Sequence, residues 1–113
     1  MTDCLFCKIV AGEIPATIVA QTADTVAFRD INPQAPVHVL VIPRAHHADL
    51  PALAAADPGL AGRLAADAAA VAQAEGVAGA FRLVFNTGAA VGQSVFHVHG
   101  HVLGGRPFTW PPG

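Results

Sequence analysis

Val95-Phe96-His97-Val98-His99-Gly100-His101-Val102-Leu103, residues 95–103, sets three histidines at alternate positions among mostly apolar neighbours. Side chains along a strand alternate between its faces, so an extended reading turns all three imidazoles the same way. The pattern predicts a strand over Val95–Leu103 with one chemically loaded face. A row meant only to face solvent is served as well by Thr, Lys or Gln. Three rings side by side suit either a metal site or nucleophilic catalysis, with one imidazole attacking and its neighbours positioning charge.

Upstream lies Thr87–Ser94, a loop whose Gly88, Gly92 and Ser94 can offer backbone N–H groups and a hydroxyl to an anion. A glycine loop alone is more often an ordinary turn; it gains weight by ending three residues before the first histidine. Phe81–Asn86 reads as the strand before it. Val37–Ile42 is nearly all apolar and β-branched, which predicts a central strand buried on both faces and ended by Pro43. Thr17–Gln21 and Val26–Asp30, separated by Thr22–Thr25, read as a hairpin, followed by turn chemistry at Asn32–Pro36.

Asp57–Glu75 is the one long helix, with Asp57 as N-cap, Pro58 in the first turn and Gly76 just past the end. Leu60, Leu64 and Val71 share its inner face. Cys4–Val10 is a short helix stopped by Gly12 and Pro15. The expected architecture is a single α+β domain over residues 1–113: an antiparallel sheet of about five strands, one long helix and a short N-terminal helix.

The chain has 113 residues, 53% hydrophobic and 12% charged, with a formal net charge of -2. This balance argues against nucleic acid or anionic membrane as partner. No run approaches the ~20 continuous apolar residues of a membrane span. Met1–Cys4 lacks the pattern of a secretory leader, so the expected location is the cytoplasm. Cys4 and Cys7 are too close in sequence to read as a secreted disulfide framework. A small, low-charge domain with an open sheet edge is expected to pair as a homodimer.

Gly92-Gln93-Ser94-Val95-Phe96-His97-Val98-His99-Gly100-His101-Val102-Leu103-Gly104-Gly105-Arg106 resembles the signature of the histidine-triad (HIT) family. The closing Trp110-Pro111-Pro112-Gly113 is similar to the Hint branch, the nucleoside phosphoramidate hydrolases. Phe6–Ile9, Gly12–Ala16, Ala27–Ile31, Pro33–Pro36 and Val41–Pro43 fit as well, leaving only the alanine-rich helix generic. One residue departs from the pattern. Gly100 stands where the motif carries an apolar side chain, on the face away from the imidazoles, which predicts altered packing and a locally weaker strand.

The resemblance implies that His99 attacks the α-phosphorus of a purine nucleotide and forms a transient nucleotidyl-imidazole. It implies that His101 donates to a phosphate oxygen, that Ser94 stands near the leaving amine, and that His97 completes the triad. Asn86 and the backbone of Gly92, Gln93 and Ser94 would hold phosphate and ribose, and Asp30 would accept from the ribose hydroxyls. Ile31, Phe28, Phe6 and Ile9 would form the base slot, and Trp110 would reach a partner's site across the dimer. No cofactor is implied for catalysis. Bacterial-type relatives beginning Cys-x-x-Cys carry zinc, here on Cys4, Cys7, His46 and His97. The other reading is two reduced cysteines with His46 orienting the triad. His38 and His47 have no assigned role and read as strand and surface positions.

The activity implied first is hydrolysis of AMP–amine phosphoramidates. Within the same superfamily, dinucleoside polyphosphate hydrolysis or nucleotidyl transfer is the alternative. From other classes come a nucleotide-binding regulatory protein with incidental turnover and a zinc-binding interaction module.

Overall fold

In the computed structural model, which describes residues 3–113, the apolar run Val37–Pro43 forms strand β3 at the middle of a five-stranded sheet. Met1 and Thr2, part of the leaderless N-terminal reading, lie outside the described residues. Strands β1 (Ile18–Gln21), β2 (Thr25–Arg29), β4 (Phe81–Val84) and β5 (Gly100–Gly104) complete the sheet in the order β1-β2-β3-β5-β4. Every pairing is antiparallel.

A strand without polar alternation needs cover on both sides, and β3 has it. Val39 and Val41 meet one face, where Leu60, Leu64, Ala68 and Val71 of helix α3 (Pro58–Ala74) pack on them. Leu40 and Ile42 turn to the other face, where they join Val26, Phe28 and the Phe6 ring of helix α1 (Leu5–Val10). Alternate residues of β2 follow the same division, Ala27 to the α3 side and Val26 and Phe28 to the α1 side.

The caps of α3 fall where their chemistry predicts. The Asp57 carboxylate accepts from the Leu60 N–H at 3.0 Å, and Gly76 follows the helix at φ +78°, a region that costs glycine little. A further helix, α2 (Leu50–Ala56), was not expected from the sequence. It uses the same device, with the Asp49 carboxylate accepting from the Ala52 N–H at 2.9 Å and Pro51 in its first turn. Asp57 both ends α2, its N–H donating to the Leu53 carbonyl, and begins α3.

Two expected strands ran too long. The strand expected over Val95–Leu103 is β5, which begins only at Gly100, and the one expected over Phe81–Asn86 is β4, which stops at Val84. The cause is visible at Val98, whose N–H donates to the His47 carbonyl at 2.7 Å instead of to a ladder partner. His97 and His99 therefore sit on a bent approach to the strand. At Gly100 the missing side chain is replaced from next door: a Cβ there would lie 2.9 Å from Phe85 Cζ and from Leu83 Cδ1. No helix among the described residues is long and apolar enough to cross a membrane.

Candidate active site

A cavity of about 360 Å³ opens on the α1 side of the sheet. Phe6 and Ile9 from α1 and Phe28 from β2 give it an apolar wall, with the Phe6 ring edge-on to Phe28 at 5.4 Å between centroids. Asp30, just past the end of β2, and Ser94, His99 and His101 give it a polar one. Ile31 stands fully exposed at its mouth. The structure thus brings together Ile9, Phe28, Asp30, Ile31, Ser94, His99 and His101 of the expected residues.

His99 is buried, and its Nδ1–H donates to the His97 carbonyl at 2.8 Å. In a neutral imidazole this leaves the lone pair on Nε2, the nitrogen available for attack. The Phe6 ring stands edge-on to it at 5.0 Å, and the His101 ring also lies 5.0 Å away. Burial, aided by the neighbouring His99 and His38, pushes the His101 imidazole down to about 4, against the pull of Asp30. It is a neutral ring at ordinary pH.

His38, left without a role by the sequence, is part of this site. It is buried on β3, its Nε2 lies 2.9 Å from His101 Nδ1 and 3.4 Å from Asp30 Oδ2, and burial lowers its basicity. Only pairing of β3 with β5, which sets Leu40 opposite His101, brings these rings together. Nothing local at residue 38 signals it.

The loop before the triad is braced from inside. The Gly88 N–H donates to Gln93 Oε1 at 2.9 Å, and the Gln93 N–H donates back to the Gly88 carbonyl. The Gln93 amide nitrogen is donated to the carbonyls of Ala48 and Val95. The Gln93 side chain is thus spent on holding the loop, and what it can offer a ligand is its backbone. Gly92 has φ +102°, which a residue with a Cβ would resist, and Asn86 Nδ2 lies beside it. Asn86, Gly92 and Gln93 flank the cavity's polar end in sequence without lining it.

Cys4, Cys7, His46 and His97 form a second cluster, their donor atoms all within 4.8 Å of one another. His97 Nδ1 stands 3.2 Å from His46 Nδ1 and 3.4 Å from Cys4 Sγ, and Cys7 Sγ stands 3.3 Å from His46 Nδ1. A tetrahedral ion with bonds of about 2.0 Å to nitrogen and about 2.3 Å to sulfur needs separations of about 3.3 Å between nitrogens, about 3.5 Å between nitrogen and sulfur and about 3.8 Å between sulfurs, so these distances fit zinc. The His97 Nε2–H donates to the Pro43 carbonyl at 2.8 Å, leaving Nδ1 as the ligating nitrogen. Burial keeps this ring below its ordinary range, hence neutral. His97, expected among the catalytic residues, lies with this cluster and does not line the cavity.

The tail is pinned outside. The Arg106 and Arg82 guanidiniums each lie over the Phe108 ring, at 4.2 and 5.1 Å from its centre, and Arg82 also donates to the Thr109 carbonyl. Trp110 beyond it is 84% exposed and takes no part in this chain's own cavity.

A family model described as HIT domain matches residues 11–108. An uncharacterized HIT-like protein of Synechocystis sp. is 53% identical over 111 residues, covering 98% of this chain and 97% of that protein. Adenylylsulfatase HINT1 of Arabidopsis thaliana is 46% identical over 112 residues, 96% of this chain and 76% of its own length. A 14 kDa zinc-binding protein of Brassica juncea is 45% identical over 114 residues, 98% and 100% of the two chains. The crystal structure of a HIT family hydrolase from Legionella pneumophila superposes with TM-score 0.93 at 50% identity, covering 98% of this chain and 100% of that one.

Proposed function

This chain belongs to the HIT domain family, and from that premise we propose that it hydrolyses purine nucleoside 5′-phosphoramidates through a covalent nucleotidyl-His99 intermediate. The observation that carries the reading is the His99 ring: buried, with Nδ1–H given to the His97 carbonyl and Nε2 left as a nucleophile beside His101.

The base lies against Phe28, Phe6 and Ile9 with Ile31 at the rim, and Asp30 accepts from the ribose hydroxyls. The backbone of Gly92, Gln93 and Ser94, with Asn86, holds the phosphate. His99 Nε2 attacks the α-phosphorus, the P–N bond breaks, and its electron pair leaves with the amine, which takes a proton by way of Ser94. Water then attacks the phosphorus: its oxygen stays with the nucleoside monophosphate as the bond to His99 Nε2 breaks, and its proton replaces the one passed to the amine by way of Ser94. His101 steadies the charge developing on a phosphate oxygen.

Cys4, Cys7, His46 and His97 hold a structural zinc in this reading, and the ion cross-links α1, the cavity wall, to the approach to β5. It takes no part in the chemistry. The chain works as a homodimer in the cytoplasm, pairing through an open sheet edge and sending Trp110 into the partner's site; a monomer mass by light scattering at micromolar concentration would contradict the dimer.

The test is a panel of AMP phosphoramidates, dinucleoside polyphosphates and adenylylsulfate, the last included because of the Arabidopsis relative's name. Phosphoramidates should turn over fastest. His99→Ala should lose several orders of magnitude in rate while still binding AMP. Near-normal turnover in that variant overturns the assignment, and preference for a polyphosphate or for adenylylsulfate moves the activity to that substrate.

A further inference from the structure

We propose that His38 is a positioning residue that fixes the proton of His101 on Nε2, at the end of a hydrogen-bond chain starting from the Gln34 backbone N–H. Its direction is set by a group that has no choice. A backbone N–H only donates, and that of Gln34 lies 3.0 Å from His38 Nδ1. Nδ1 must then be the bare nitrogen of the ring, and His38 carries its proton on Nε2. That N–H faces His101 Nδ1 at 2.9 Å, so His101 accepts at Nδ1 and a neutral His101 bears its own proton on Nε2. Burial, which keeps both rings neutral, leaves one arrangement of protons.

The first donor is itself held in place. The Gln34 carbonyl accepts from Arg106 Nε at 3.2 Å and from a terminal nitrogen of the same guanidinium at 3.0 Å. Gly105, at φ +88°, lets the chain approach the turn closely, since a Cβ there would lie 2.9 Å from Pro36 Cβ. Asp30 adds a second acceptor on the same side: Oδ1 takes the Asn32 N–H at 2.8 Å, and Oδ2 faces His38 Nε2. The groups facing His101 are therefore His38, Asp30 and His99.

Asp30, His38 and His101 are also close enough to share a cation. A metal needs the lone pair of His38 Nε2, and that would move the ring proton to Nδ1, against the Gln34 N–H. The donor at Gln34 selects the proton chain over the ion. Its product is an uncharged hydrogen-bond donor at His101, aligned before any phosphate arrives.

The experiment is nitrogen NMR of the ligand-free protein labelled at histidine. His101 should show a proton-bearing Nε2 and a bare Nδ1. His38→Gln, whose amide nitrogen reaches the place of Nε2, should preserve this pattern. His38→Glu, an acceptor, should pull the proton to Nδ1. On an AMP phosphoramidate the Glu variant should lose on the order of 10²-fold in kcat with KM little changed, and Gln should recover most of it. A proton on Nδ1 of His101 in the unaltered protein overturns the proposal, as do Glu and Gln variants with the same tautomer. A second equivalent of zinc bound in a manner that needs His38 also overturns it. The spectral result does not depend on the substrate, so failure of every phosphoramidate to react would count against the proposed function and leave this proposal standing.

Discussion

Gly100→Ala is the most discriminating single change for the packing. Replacing a strand glycine by alanine ordinarily stabilises by roughly 0.5–1 kcal/mol, because glycine surrenders more freedom on folding. Here the added Cβ would stand 2.9 Å from both Phe85 Cζ and Leu83 Cδ1, and 3.2 Å from Phe85 Cε1. Carbon atoms prefer about 3.5–4.0 Å, so at least one neighbour must move by more than about half an ångström. Leu83 and Phe85 both pack against the buried α3-side core, and of the two the flat Phe85 ring, which presents two atoms to the new Cβ, has less freedom to give way. Overpacking of this kind costs roughly 1–3 kcal/mol, so the sign reverses and the variant is destabilised. At this chain length each kcal/mol moves the Tm by about 4 °C, which predicts a drop on the order of 4–12 °C. Thermal and urea unfolding followed by circular dichroism, at fixed protomer concentration and constant zinc, measures it. Phe85→Leu removes the obstructing ring edge, and in that background Gly100→Ala should become neutral or stabilising. A destabilisation unchanged by Phe85→Leu, or none in the original background, refutes the reasoning.

Purified protein should contain one zinc per chain, and chelation or joint Cys4→Ser and Cys7→Ser replacement should lower the Tm and loosen α1; metal-free protein of unchanged Tm counts against the site. Zinc affinity should weaken as pH falls, because the thiols must release protons to bind. His101 is pushed from 6.5 to about 4 in the folded chain, so between those values the unfolded chain binds more protons. Its contribution to stability is present above pH 6.5 and is lost as pH falls towards 4. His38 acts in the same direction, and a urea midpoint that rises on acidification across this window contradicts both. Asp57→Ala removes the carboxylate that caps α3 and should cost about 1 kcal/mol in urea unfolding.

What the sequence made legible was whatever depends on near neighbours. The caps of α3 at Asp57 and Gly76, the β1–β2 hairpin and the doubly buried β3 each follow from residues within a turn or a strand of one another. The family motif added Asp30, Ser94, His99 and His101, all of which line one cavity. Helix α2 had a readable signal in Asp49 and Pro51, the same pair of devices that marked α3. The overlong reading of β5 had none, because the His47 carbonyl that takes the Val98 N–H lies about fifty residues away. His38 was illegible for the same reason: its partner is 63 residues on, and the strand pairing that joins them is a property of the whole sheet.

The contact between Cys4 and His97 spans 93 positions, which bears on the order in which the molecule is completed. Closing so long a loop costs entropy before it returns anything, so it is favoured only after intervening elements have shortened the effective span. The β1–β2–β3 meander and the α2–α3 corner are local and can form first. Helix α1 comes earlier in the chain than any of them, yet the strand approach that meets its Cys4 and Cys7 through His97 emerges last. Phe6 can settle on Val26, Phe28, Leu40 and Ile42 beforehand, but the polar wall of the cavity, with Ser94, His99 and His101, waits on the last strand. A chain interrupted after β3 but before His97 can hold the β1–β2–β3 meander, yet it leaves β4 unpaired and the pocket without His99 and His101.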